Sequence, residues 1–353
     1  MQDNSKVIIA LDAMGGDKAP YIVIEGASIA LSRDKDLFFN IFGNENIVLP
    51  IIKKFKNLSG NYKFFHTESV ITNDDKPAVA LRQGRESSMR LAINSVKEGS
   101  SHAVVSAGNT GALMAISKFV LHAIEGIDRP AIVTYIPTRK KPCVMLDLGA
   151  NSECSAEQLL QFGIMGDAFS KSVLGEKTPA IGLLNIGSEN LKGNKLVQDA
   201  AELFLQNKNL NYTGFAEGHD IFKGKFDVIV TDGFTGNITL KVIEGTVSFI
   251  KYKILSIFKG NYFSYFGVLL TLLFSFIRLK KVIKEVDPRL YNGAMLVGLE
   301  GISVKSHGGA DKISFANAIY VAKKLVVAKI NDKIKCELNN LPQNNLIQED
   351  SKE

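Results

Sequence analysis

The chain has 353 residues, with 42 Lys and Arg against 36 Asp and Glu, a formal net charge of +6 and an apolar fraction of 46%. That content fills the core of one large α/β unit and excludes a wholly disordered chain. The positive balance asks for an anionic partner: a phosphate-bearing substrate, an acidic protein, a membrane surface or nucleic acid. Charge alone does not choose among them.

The chain opens on polar residues and runs directly into a strand-like stretch, without the charged and apolar regions of a signal peptide, so export is not expected. Short β-branched and apolar runs at 7–11, 38–42, 103–105, 131–136, 144–146, 180–184 and 227–230 predict strands. Helical periodicity at 21–31, 78–96, 113–122 and 156–173 predicts helices between most of them. This alternation predicts an α/β fold on a mainly parallel sheet flanked by helices. Residues 1–335 read as a single two-lobed catalytic unit, and 336–353 as a polar tail too poor in apolar side chains to order itself. Cys143, Cys154 and Cys336 lie far apart without C-x-x-C spacing, which indicates neither a disulfide framework nor a zinc site and fits a reducing cytoplasm.

Residues 262–277 are aromatic and aliphatic without a charge, between Lys251, Lys253 and Lys259 on one side and Arg278, Lys280, Lys281 and Lys284 on the other. This approaches the roughly 20 apolar residues of a membrane span. A span would place 293–309 across the bilayer from the preceding strands and split one fold. The preferred reading is a protruding apolar helical segment over 251–284 that dips into a membrane surface, with a buried dimer contact as the equal alternative.

Five small polar or glycine-rich loops follow predicted strands, and in open α/β sheets ligands gather at the carboxyl ends of strands, so convergence on one site is expected. In Asp12-Ala-Met-Gly-Gly-Asp17, Gly15 and Gly16 allow close backbone approach to a ligand, and Asp12 and Asp17 position water, a lysine or a hydroxyl. Helix capping is the plainer role for Asp17. In Ser106-Ala-Gly-Asn-Thr-Gly111, the Ser106, Gly108, Asn109 and Thr110 groups form a neutral cradle for phosphate oxygens, with a tight turn capped by Asn109 or Thr110 as the alternative. It lacks the G-K-[ST] ending of a Walker loop.

Asn185-Ile-Gly-Ser-Glu-Asn-Leu-Lys-Gly193 offers Asn185, Glu189 and Lys192; the lysine is the candidate charge for phosphate or an oxyanion, and Glu189 its orienting group. Asp232-Gly-Phe-Thr-Gly-Asn237 leads into a helix with Lys241 one turn on, and Thr235 and Asn237 donate to an anion unless they cap. His307 is the one histidine in a glycine-rich setting and a candidate proton donor to a leaving thiolate. Neither a G-x-S-x-G elbow nor a Cys–His neighbour supplies an enzyme nucleophile, and a reaction in which phosphate itself attacks needs none.

Together, Leu11-Asp-Ala-Met-Gly-Gly-Asp-Lys-Ala-Pro20, Ser106-Ala-Gly-Asn-Thr-Gly-Ala-Leu113, Leu146-Asp-Leu-Gly-Ala-Asn151, Gly182-Leu-Leu-Asn-Ile-Gly187, Asp232-Gly-Phe-Thr-Gly-Asn237 and His307-Gly-Gly309 resemble the PlsX family, the phosphate acyltransferases of bacterial phospholipid synthesis. The resemblance extends to about Lys329. It implies an isocitrate/isopropylmalate dehydrogenase-like, phosphotransacetylase-like architecture and reversible transfer of a long acyl chain from acyl carrier protein to inorganic phosphate. It further implies a cytoplasmic homodimer at the membrane surface, without metal or organic cofactor or nucleic acid, that supplies acyl phosphate to a membrane glycerol-3-phosphate acyltransferase. Two departures stand out: 262–277 is more apolar than the family pattern, and Gly309-Ala310 replaces small hydroxyl residues.

On this reading Lys192, His307, Asn185 and Asp232 are catalytic. Asp12, Gly15, Gly16, Asp17, Ser106, Gly108, Asn109, Thr110, Asn151, Glu189, Thr235 and Asn237 bind phosphate or substrate, and Arg82, Arg85 and Arg90 dock the acidic carrier. Phe226-Asp-Val-Ile-Val-Thr231 also resembles the strand before the metal loop of the decarboxylating dehydrogenases, but Asn237 and Lys241 follow where aspartates would hold a divalent cation. The rivals are a phosphotransacylase using coenzyme A thioesters and a membrane-associated scaffold without turnover.

Overall fold

The computed structural model describes residues 6–257 and 293–339. The apolar run 262–277 and residues 340–353 of the predicted tail lie outside them. Among the described residues eleven strands form one sheet: β1 (Val7–Asp12), β2 (Leu37–Gly43), β3 (Tyr62–His66), β4 (Ala103–Ser106), β5 (Ala131–Ile136), β6 (Cys143–Leu146), β7 (Ile181–Leu184), β8 (Tyr212–Ala216), β9 (Val228–Val230), β10 (Ala294–Val297) and β11 (Ile302–Lys305). Their order is β3-β2-β1-β4-β11-β10-β5-β6-β9-β7-β8.

The predicted strands all form, and the sheet is mostly parallel, but it is mixed. β10 runs antiparallel to both β11 and β5, and β5 antiparallel to β6. The remaining neighbours are parallel. Because of these reversals, the β1–β4–β11 set and the β6–β9–β7 set run in opposite senses, so their carboxyl ends face opposite margins of the sheet.

Helices cover both faces: α1 (Tyr21–Arg33), α2 (Glu45–Ile52), α3 (Pro77–Gln83), α4 (Ser88–Lys97), α5 (Thr110–Leu121), α6 (Ala156–Phe169), α7 (Lys195–Gln206), α8 (Gly233–Ile257), α9 (Lys312–Val327) and α10 (Ile330–Asn339). Alternation along each strand divides the core. Ile9, Leu11, Val105 and Val133 pack with Ile24 of α1, Phe162 of α6 and Phe315 of α9. Ala10, Val104 and Ile132 face the other way, onto Ile93 of α4 and Ile116 of α5.

The helix predicted at 78–96 is two helices. Gly84 ends α3, and Ser87 starts α4 by accepting the Arg90 N–H at 3.2 Å while donating to the Gly84 carbonyl at 2.7 Å. At the other end of the chain, residues 336–339, assigned to the tail by composition, continue α10, and Leu338 is buried. One turn of helix needs only one apolar anchor when a core is there to receive it.

Helix α8 begins where β9 ends and leaves Phe234, Ile238, Val242, Phe249, Ile250 and Tyr252 exposed. No helix among the described residues is long and apolar enough to cross a membrane.

Candidate functional site

Asp12 is the hub of the first cluster. Its Oδ1 accepts the Ser88 hydroxyl at 2.6 Å and its Oδ2 the Ser106 hydroxyl at 2.6 Å, while the Met14 N–H adds a longer bond at 3.3 Å. Burial pushes the Asp12 carboxyl above the usual range, and these hydrogen bonds pull it back in part. Ser106 Oγ in turn accepts the Gly108 N–H at 3.0 Å. The carboxylate thereby ties together the ends of β1 and β4 and the start of α4.

Two glycines follow from this packing. A Cβ on Gly15 would stand 2.4 Å from Asp12 Oδ2 and 2.7 Å from the Gly108 nitrogen, and Gly16 has a φ of +109°. Asp17 is not a helix cap, because α1 starts after Pro20. Instead its N–H donates to the Gly308 carbonyl at 3.0 Å and its Oδ1 accepts the Asn73 amide at 3.0 Å. The loop after β11 thus joins the loops after β1 and β4. His307 lies on it, exposed, with Nδ1 accepting the Gly309 N–H at 3.1 Å.

Asn109 is the N-cap of α5, accepting the Ala112 N–H at 3.0 Å. Its Nδ2 donates to the carbonyls of Thr72, Asn73 and Asp75 at 3.2, 3.1 and 2.9 Å. Both ends of the amide therefore hold protein. Thr110 is exposed in the first turn of α5.

Lys305 escaped the sequence reading. Ending β11, it donates through Nζ to the Ala107 carbonyl at 3.2 Å and to the Ser306 carbonyl. Burial lowers its pKa to about 8, the nearby Asp12 and Asp17 opposing that shift and Lys241 adding to it. The signal was available: Ile302-Ser-Val-Lys305 alternates like a strand and runs into Ser306-His-Gly-Gly309, the same strand-then-loop grammar as 7–17.

The second cluster centres on Asp147. Its Oδ1 accepts the N–H groups of Ile132, Gly149 and Ala150 at 2.9, 3.2 and 3.0 Å; its Oδ2 accepts the Asn151 N–H and Nδ2 at 2.8 and 3.0 Å. Asn151 also donates to the Pro130 carbonyl at 2.9 Å and is buried. Asp232 holds the start of α8, accepting the Thr235 N–H at 2.8 Å and hydroxyl at 2.7 Å. Asn237 packs beside Gly149, where an added Cβ would meet the Asn237 Cβ at 3.3 Å.

The loop after β7 is built on itself. Asn185 donates to the Lys192 carbonyl at 3.0 Å and accepts the Ile186 N–H at 2.8 Å, and the Lys192 N–H donates to the Glu189 carbonyl at 3.0 Å. Glu189 and Lys192 are exposed, and among the described ion pairs none joins their side chains. Of the five predicted loops, those after β1 and β4 join the loop after β11 in a cluster of three, 147–151 and the loop after β9 form a cluster of two, and the loop after β7 stands apart. Helix α8 links the clusters: it starts at Asp232, and its third turn brings Lys241 within electrostatic reach of Lys305.

Arg82 and Arg85 are exposed on either side of Gly84. Arg90 is partly buried, with its guanidinium 5.3 Å over the Phe119 ring and its Nε donating to Asn94 at 3.2 Å. Elsewhere, Glu217, His219 and Asp220 stand together, but Asp220 already pairs with Lys223 at 3.0 Å.

Solved structures share the fold. A phosphotransacetylase from Streptococcus pyogenes superposes with a TM-score of 0.60 at 15% identity, covering 91% of this chain and 94% of that one. The EutD phosphotransacetylase of Staphylococcus aureus gives 0.57 at 14% identity, with 91% and 94% covered. Sequence relatives are nearer. The phosphate acyltransferase of Rhodospirillum centenum is 49% identical over 339 residues, 96% of this chain and 94% of that protein. That of Ehrlichia ruminantium is 47% identical over 339 residues, covering 95% and 98%. The family described as "Fatty acid synthesis protein" matches residues 7–333. Over nearly its whole length, then, this chain belongs to the fatty acid synthesis protein family and, with these relatives, to the phosphate acyltransferases.

Proposed function

We propose that the protein transfers a long-chain fatty acyl group, reversibly, from the thioester of acyl carrier protein to inorganic phosphate, giving acyl phosphate for phospholipid synthesis. The observation that carries this is the meeting of three glycine-bearing loops around Asp12, with a cation at their junction. Ser88 and Ser106 are buried and committed to Asp12. Burial pushes the Cys143 thiol up to about 12 and the Cys154 thiol up to about 11, so neither is a ready thiolate. Phosphate is then the nucleophile, and the protein's task is positioning.

A phosphate oxygen gives an electron pair to the thioester carbon, the carbonyl pair moves onto oxygen, and collapse of the tetrahedral intermediate breaks the C–S bond. Backbone N–H groups stabilise the oxyanion, with Lys192, whose loop no described contact joins to these three, as the candidate cation beside them. His307, whose Nδ1 accepts the Gly309 N–H, donates a proton through Nε2 to the departing sulfur. His307 recovers a proton from the phosphate, which closes the balance.

The same reading has a cytoplasmic homodimer working at a membrane surface and handing acyl phosphate to a membrane glycerol-3-phosphate acyltransferase. The exposed apolar side chains of α8 support it. Purified protein mixed with palmitoyl carrier protein and phosphate forms a hydroxylamine-trappable acyl phosphate; Lys192→Ala and His307→Ala each slow its formation. Product from the coenzyme A thioester alone would move the assignment to a coenzyme-dependent phosphotransacylase, and no product from either donor would end the enzyme reading. Full turnover in both variants would remove the two roles.

A further inference from the structure

Lys305 closes the last hydrogen-bonded position of β11, paired with Ser106 of β4 on one side and Ala294 of β10 on the other. Its side chain therefore issues at the junction of the loops after β1, β4 and β11. Its two hydrogen bonds go to neutral carbonyls, of Ala107 and Ser306, and an ammonium group has three donors. Among the described residues no carboxylate forms an ion pair with it. The charged or titratable groups around it are Asp12 of β1, Asp17 of the next loop, Lys241 of α8 and, two residues on, His307.

Keeping a partly buried cation without a contacting carboxylate is costly unless an anion arrives to compensate it. The surroundings are arranged for such an arrival. Gly15, Gly16, Gly108 and Gly308 remove side chains from the same junction, and Lys241, paired with Glu244 at 2.8 Å, brings a second ammonium within electrostatic reach from the far cluster. The near carboxylate, Asp12, is engaged by two hydroxyls and a backbone N–H and makes no described ion pair with Lys305.

We propose that Lys305 is the residue that binds the attacking phosphate, gripping one of its oxygens with the third ammonium hydrogen while the Ala107 and Ser306 carbonyls fix the direction of the other two. This rests on the acyl-transfer reading above and names the group that holds its second substrate. Lys305 makes and breaks no covalent bond: the phosphate oxygen forms the new C–O bond, the sulfur leaves with the C–S pair, and the phosphate proton ends on the thiol. Its lowered pKa, near 8, places loss of this grip within the range of ordinary assays.

The test separates phosphate from acyl donor. Lys305→Met raises the phosphate KM by about a hundredfold, leaves the acyl carrier protein KM within about threefold, and Lys305→Arg recovers part of the loss. An unchanged phosphate KM in folded Lys305→Met overturns the proposal. Should that variant not fold, wild-type protein still decides. Sulfate, a dianion whose charge is constant over this range, binds competitively with phosphate, and its affinity falls about tenfold per pH unit above about 8. Lys305→Arg flattens that fall; His307→Gln and Lys241→Gln keep it. Sulfate affinity flat from about pH 7 to about pH 9.5 in wild type overturns the assignment. Wild type that makes no acyl phosphate but shows the sulfate transition would instead sink the reaction and leave the anion site standing.

Discussion

The Asp12 carboxylate accepts the Ser106 hydroxyl at 2.6 Å, joining the carboxyl ends of β1 and β4 through buried side chains 94 positions apart in sequence. Because Ser106 also accepts the Gly108 N–H, this contact fixes the start of the loop after β4. Asp12 also acts at a distance, since its negative charge supports the positive charge on Lys305.

Asp12→Asn tests both effects. The amide keeps the shape but presents one acceptor where the carboxylate has two, so one hydroxyl must turn, and turnover at pH 7 falls roughly tenfold or more, the scale of a charged hydrogen bond. The sign of the pH effect follows from the charges. Asp12 raises the Lys305 pKa, so its removal lowers that pKa further, and the alkaline loss of sulfate binding moves to lower pH. Sulfate titrations across pH check this; a midpoint unmoved or shifted upward contradicts it.

Asn109 divides its amide between helix and loop, which makes two variants informative. Asn109→Ala removes the cap of α5 and lowers unfolding free energy by about 1–2 kcal/mol in denaturant titration. Asn109→Asp keeps the capping oxygen and loses the three donated bonds to the 72–75 loop. Stability then recovers, while amide exchange in that loop stays faster than in wild type. Equal protection of 72–75 in Asn109→Asp and wild type would show that the loop is held by other contacts.

Arg82 and Arg85 present charge to solvent, whereas Arg90 lies over Phe119 and serves the fold as well. Docking of an acidic carrier through the first two would be a long-range effect, screened by salt. Going from about 50 to about 300 mM salt weakens carrier binding several-fold, and Arg85→Glu weakens it at low salt while flattening the salt slope. Carrier titrations by fluorescence give both numbers, and a salt-independent Kd would dismiss steering.

The seven predicted strands were legible because their apolar runs are buried on both faces and need no partner to be recognised. The four strands left unread are of two kinds. β3 and β8 are the sheet's edges, half-exposed, with Lys63 in one and Gly214 in the other. β10 and β11 are four-residue strands in a glycine-rich stretch whose loops drew attention first. Missing β11 meant missing Lys305, since a lysine reads as solvated until its strand is known to be central.

Among the predicted site residues, Asp12, Gly15, Gly16, Asp17, Ser106, Gly108 and His307 lie on loops that the fold brings together. Asn109, Asn151, Asn185 and Asp232 carry local structure instead, as caps and loop braces. The chemistry of an Asn or Asp beside a glycine is the same in both cases, and only its partners tell them apart.

Local pattern by itself determined the α/β class, the strand-loop-helix setting of each motif and the absence of a nucleophile motif, because these depend on neighbours a few residues away. Tertiary structure alone decided the direction of the strands. Two antiparallel pairings by β10 and one between β5 and β6 turn half the sheet around, which sends the five loops to two margins and leaves α8 to carry Lys241 back toward Lys305. Strand direction is set by pairing between segments far apart in the chain, and so is burial of a charge, which is why the cation at the site emerged only with the fold.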